Sequence, residues 1–141
     1  MTYSINNLCN YRQGTYHHYK LKVLQQPIKA RLCSFKEKVD RRPIDPPPIV
    51  QLCCTCQHKQ CIQNILHSPY FFLYATLTGI NDDTDLYLHH GHRTTAGAVV
   101  QSLHRLKYND NKDGGFFVFA DISVRLEGRY RLKFTLFEIV G

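Results

Sequence analysis

Four of the six cysteines of this 141-residue chain fall within nine positions, in Gln51-Leu52-Cys53-Cys54-Thr55-Cys56-Gln57-His58-Lys59-Gln60-Cys61. Thiolates and an imidazole are zinc ligands, and a structural zinc takes four of them in a tetrahedron. Cys53, Cys56, His58 and Cys61 are the set this stretch could offer. The spacing does not favour it. Zinc-binding cysteine pairs usually come twice, separated by a loop that closes around the metal. Here Cys56-x4-Cys61 has no second pair, and Cys9 and Cys33 are distant singles. If the strand containing Leu52 continues, Cys53 and Cys54 point to opposite faces. The expectation is that there is no metal and no other cofactor.

Other chemistry-bearing groups are weaker signals. His89-His90-Gly91-His92 reads as a polar loop beside a turn rather than a metal cluster. Asp82, Asp83 and Asp85 lack the later glycine and glutamate of a calcium loop and read as turn carboxylates. Neither a nucleotide-binding glycine motif nor a nucleophile elbow occurs, and Gly114-Gly115 reads as part of a turn. No enzyme signature is present, and no small-molecule substrate is expected.

The remaining cluster is cationic. Lys29, Arg31, Lys36, Lys38, Arg41 and Arg42 lie within fourteen residues. Arginine grips phosphate or reads guanine bidentately, and lysine neutralises phosphate. The charge map agrees. Residues 1–45 hold nine Lys/Arg against three Asp/Glu, a net +6, while residues 46–141 hold nine against eight, a net +1. A basic end on a balanced body points to an acidic partner, nucleic acid first. A solvated charged face is the alternative reading.

These groups need a scaffold. Residues 1–17 lack periodicity and read as a flexible tail. Tyr19–Leu24 alternates as a half-buried strand, and the basic segment from Ile28 to Arg42 reads as a long loop. Asp45-Pro46-Pro47-Pro48 forces an extended path, after which Ile49–Leu52 resumes as a strand. Tyr70–Leu77 is an apolar, aromatic strand of central type. Residues 79–85 are turn material, and Leu86–Leu88 suits a short strand. Thr94–Leu103 suits a short helix or a strand. Asn109–Gly115 reads as a loop, followed by a buried strand Phe116–Phe119 and an alternating one over Ile122–Leu126. Tyr130–Phe137 places Tyr130, Leu132, Phe134 and Leu136 on one face. Short strands with Gly, Pro, Asn and Asp turns predict an all-β chain, an antiparallel β-sandwich with little helix. No apolar run approaches the length of a membrane span, and the N-terminus lacks the apolar region of a secretory signal. The cysteines therefore read as reduced thiols.

The segments YKLKVLQQPIKARLCSFKEKVDRRPIDPPPIVQL, SPYFFLYATL, RTTAGAVVQSLHRLK and DGGFFVFADISVRLEGRYRLKFTLFEIVG, in that order, resemble the velvet domain of fungal developmental regulators, nearest its spore-viability branch. The likeness covers roughly residues 19–52 and 68–141, within a velvet domain of 18–141. It implies an immunoglobulin-like sandwich similar to the DNA-binding half of Rel-type transcription factors. It implies a nuclear protein, shuttling from the cytoplasm, that binds DNA sequence-specifically as a homo- or heterodimer with other velvet proteins. It implies control of sporulation, development and secondary metabolism, and no catalysis. In the family the loop after the first strand touches DNA, which assigns DNA contact to Lys29, Arg31, Lys36, Lys38, Arg41 and Arg42. A partner subunit that does not itself contact DNA is the alternative, followed by a small zinc protein. Residues 53–67 depart from the family pattern and read as an atypical insert. The family continues past the position of Gly141, so the domain is expected to be C-terminally truncated and to lack an edge.

Overall fold

The computed structural model describes residues 3–6, 19–28, 43–54, 59–81, 84–126 and 128–139. The architecture follows from two long strands with strict alternation. β4 (Phe71–Thr78) and β12 (Tyr130–Glu138) pair antiparallel from Arg131↔Thr78 to Glu138↔Phe71. That register aligns Leu77 with Leu132, Ala75 with Phe134 and Leu73 with Leu136, and all six are buried. The period-two pattern thus becomes one apolar wall. β1 (Tyr3–Asn6) adds in parallel beside β12, and β8 (Val100–Ser102) adds beside β4, giving a sheet of order β1-β12-β4-β8. The strand β1 lies inside the stretch that sequence patterning reads as a tail.

The second sheet has order β2-β3-β10-β9, from β2 (Tyr19–Gln25), β3 (Ile49–Cys54), β10 (Lys112–Val118) and β9 (His104–Tyr108). Its inner face supplies Leu21, Val50, Leu52 and Phe117. These join Leu73, Leu77, Leu132, Phe134 and Leu136 of the first sheet in one buried cluster. The two sheets therefore pack face to face, the all-β sandwich the patterning predicts. Leu103 alone separates β8 in one sheet from β9 in the other, so the chain changes sheets within one residue.

Two short ladders finish the fold. β7 (Thr95–Gly97) pairs with β11 (Ile122–Val124), resolving the helix-or-strand ambiguity of this segment toward strand. β5 (Leu88–His89) and β6 (His92–Arg93) form a hairpin whose turn residues His90 and Gly91 have φ of 51° and 78°. Two successive positive φ values match the turn whose twist suits a two-residue hairpin.

Two departures from the sequence reading matter for the sites. β10 begins at Lys112, so Gly114 and Gly115 lie within a strand and not in a loop. Their missing side chains leave room for the Phe116 and Tyr108 rings and for Leu103. The stretch 53–67 contains the helix α1 (Lys59–Leu66), which packs against β3 and β10 and buries Ile65 in the core. No helix among the described residues is long and apolar enough to cross a membrane.

Candidate nucleic-acid interface

Lys29, Arg31, Lys36, Lys38, Arg41 and Arg42 lie outside the described residues. The structure does describe the two stems from which their segment leaves and returns. β2 ends at Gln25, Pro27 is buried, and the Ile28 N–H donates to the Asp45 carbonyl at 2.9 Å. That bond ties the outgoing stem directly to the returning one.

The returning stem is stitched on several sides. Ile44 is 1% exposed and sits in the core, with its N–H donating to the Ile122 carbonyl at 2.8 Å. None of the three prolines that follow has an N–H to give, and two of them accept through their carbonyls. Pro47 accepts from the Gln25 side-chain amide at 2.7 Å, and Pro48 accepts from the Phe119 N–H at 3.0 Å. Both stems of the segment are thereby fixed to the sandwich. Lys20 and Lys22, exposed on the outward face of β2, continue the positive charge along the strand that feeds the segment.

Several other described cations are engaged within the fold. The Arg131 Nε donates to the Gly79 carbonyl at 2.8 Å. The Arg105 guanidinium holds Asp113 at 2.6 Å, and this hydrogen bond is the main reason the Asp113 carboxyl sits below its usual range. The Arg93 guanidinium lies 5.7 Å from the centre of the Tyr87 ring.

The cysteine stretch divides in two. β3 carries through Cys54, so Cys53 and Cys54 do face opposite ways. Cys53 lies in register with Lys20; burial pushes its thiol up, against the pull of Lys22 and Lys20. Cys54 packs against the core, and its sulfur lies 2.7 Å from that of Cys61 in α1. The fold thus brings Cys54 to Cys61, where the zinc alternative had counted on Cys53. Cys56 and His58 lie outside the described residues. Among the described residues no group of three or more His, Cys, Asp or Glu is arranged to hold a metal ion. His89 and His90 stack edge to face at the hairpin turn, with ring centres 4.1 Å apart.

One surface escaped the sequence reading. The outward face of the β4–β12 pair carries Phe72 opposite Phe137, with Tyr74 opposite Val100 of β8. Tyr70 and Ile139 meet at its end through a 2.9 Å backbone hydrogen bond. Phe137 is 48% exposed, Tyr70 54% and Ile139 56%. The signal was legible in the doublet Phe71-Phe72, where one ring must face outward.

A family model described as velvet factor matches residues 19–96 and 88–141. The spore development regulator VOSA of Pyricularia oryzae is 47% identical over 123 residues, covering 86% of this chain and 24% of that protein. A velvet complex subunit of Chaetomium globosum is 43% identical over 122 residues, 86% of this chain and 26% of its own length. The developmental and secondary metabolism regulator veA of Penicillium rubens is 37% identical over 142 residues, 90% of this chain and 24% of its own length. The chain thus spans about a quarter of the length of these relatives.

Proposed function

The chain belongs to the velvet factor family, and from that footing we propose that it is a sequence-specific DNA-binding regulator of fungal development. It acts in the nucleus on genes of sporulation and secondary metabolism, alone or paired with another velvet protein. Its relatives' names speak of spore development, secondary metabolism and a velvet complex. The observation that carries the reading is the pinned stem. Six cations in fourteen residues leave and return through Ile28 and Asp45, which are hydrogen-bonded to each other on the rigid sandwich. Such a segment offers arginines for base edges and lysines for phosphates. No catalytic step is part of the proposal.

The test is selection of bound sequences from random duplexes by the purified chain, followed by salt titration of the enriched motif. A short motif should emerge, with affinity falling linearly on a logarithmic salt scale. Arg31→Ala with Arg41→Ala should weaken binding by at least about tenfold and flatten the salt slope by roughly two if both contact phosphate. Unchanged affinity in that double variant refutes the assignment of the segment.

The exposed aromatic face of the β4–β12 pair favours a second reading, a partner protein that binds another velvet chain and leaves DNA contact to it. It predicts a stable heterodimer and no motif enrichment by the isolated chain.

A further inference from the structure

We propose that Cys54 and Cys61 are an oxidation-sensitive thiol pair, closed to a disulfide by a hydroperoxide, that fastens helix α1 to strand β3. The two sulfurs belong to different elements. Cys54 is the last residue of β3, and Cys61 stands in the first turn of α1. They lie 2.7 Å apart. A disulfide bond measures about 2.05 Å, so closure asks for well under an ångström of approach.

Both partners are held in place by packing. Cys54 lies against the hydrophobic core, and α1 is anchored by Ile65, which is 4% exposed and part of the same core. The contact is thus a consequence of how β3 and α1 seat on the sandwich. Cys53 shows the contrast. It is the sequence neighbour of Cys54 but sits on the other face of β3, beside Lys20 and Lys22.

The pair is reachable. A cavity of about 150 Å³ is lined by Cys54 with Ile62, Ile65 and Tyr108. A second, of about 180 Å³, is lined by Cys61 with Asn64, Tyr19 and Glu138. Each admits a molecule the size of hydrogen peroxide. A place in the first turn of a helix stabilises a thiolate, which favours Cys61 as the attacking sulfur.

The chemistry balances with peroxide as the oxidant. The Cys61 thiolate attacks one peroxide oxygen, the O–O bond breaks, and the departing hydroxide takes a proton to become water. Cys61 is left as the sulfenic acid. The Cys54 sulfur then attacks the Cys61 sulfur, and the S–O bond breaks. Hydroxide leaves with the Cys54 proton as a second water. Two thiols are oxidised by two electrons, and one peroxide is reduced to two waters.

The position of the pair defines what the bond controls. Tyr19 pairs with Cys54 at one end of the β2–β3 ladder, and Gln25 pairs with Ile49 at the other. The stems of the cationic segment leave from the Gln25 end. Five residue steps along β3, from Cys54 to Ile49, separate the two ends by roughly 17 Å. Oxidation therefore fixes α1 without touching those stems, and the inference stands apart from the DNA-binding proposal.

The experiment uses the full chain, purified under reductant, exposed to hydrogen peroxide, alkylated and digested. Cleavage after Lys59 separates Cys54 from Cys61, so their link joins two peptides, and fragmentation locates the bonded sulfur. The expected result is an intramolecular Cys54–Cys61 bond, lost in Cys54→Ser and in Cys61→Ser, kept in Cys53→Ser and Cys56→Ser, and reversed by dithiothreitol. Hydrogen exchange on the wild-type chain reads the consequence, with α1 amides slowed at least about tenfold by oxidation. A folded chain that forms no such bond, one joined through Cys53 or Cys56, or one cross-linked only between molecules overturns the proposal. A bond with no change in α1 exchange overturns the fastening role.

Discussion

Gly97 shows what a single residue decides. It ends β7 with φ of +94°, opposite Ile122, and Ala98 beside it donates to the Asp121 carbonyl at 2.7 Å. A Cβ at this position would fall on that same carbonyl, so both the backbone angle and the space demand glycine. Gly97→Ala should cost roughly 3 kcal/mol or more, from left-handed strain and a backbone clash together. Gly91 is the control. It has φ of +78° but open space where a Cβ would go, so Gly91→Ala should cost only about 1–2 kcal/mol. Urea unfolding midpoints of the two variants check the difference, and equal losses would refute the steric half of the account. None of this was legible in Thr94-Thr95-Ala96-Gly97-Ala98-Val99-Val100, where alanine and glycine fit a helix as readily as a strand. The need for glycine arises from Asp121, which the fold, not the local sequence, brings against it.

At the scale of elements, the long alternating strands were legible, while β1, β9 and the helix were not. Tyr130–Phe137 announces its inner and outer faces by strict alternation, and β12 keeps both assignments. Within 53–67, Ile62-x2-Ile65-Leu66 is the spacing that sets three apolar side chains on one helical face, and the cysteines around it draw attention away from it. That signal is short. An eight-residue helix has no stability of its own in water, so α1 exists because Ile65 enters the core. Ile65→Ala should cost about 2–4 kcal/mol as a large-to-small core change. Its effect should be local. Hydrogen exchange should show α1 amides losing protection while those of β4 and β12 keep theirs. Uniform loss across the sandwich would mean that α1 is integral to the core rather than docked upon it. Gly114-Gly115 erred in the opposite direction. Two glycines beside Asn and Asp look like a turn, yet the sheet accepts them because the Phe116, Tyr108 and Leu103 side chains occupy the space they leave.

For the molecule as a whole, the two faces of the first sheet have different purposes, and the inner one was the more readable. Burial of Leu73, Leu77, Leu132, Phe134 and Leu136 accounts for the inner face, and the alternating pattern foretold it. At its Phe71–Glu138 end the outer face is also aromatic, which burial among the described residues does not explain. Phe72 and Phe137 lie opposite each other across the strands, and the patch extends through Tyr70 and Ile139. The Phe71-Phe72 doublet signals that one ring faces outward, but only the register shows that Phe72 meets Phe137 across the strands. Under the partner reading proposed above, this exposed apolar patch is the association surface and a second velvet chain is what meets it. Phe137 is half-exposed, so Phe137→Lys should change stability by no more than about 0.5 kcal/mol. A lysine in the centre of a dry interface, by contrast, leaves a desolvated charge, so association should weaken by at least about tenfold. Thermal unfolding and sedimentation of the variant, with and without a velvet partner, separate these two effects. Full association by a normally folded Phe137→Lys chain would move the partner surface elsewhere. Lost association with intact motif selection would place the two activities on separate faces of one sandwich, with DNA met at the Ile28–Asp45 stem and the partner met across the β4–β12 pair.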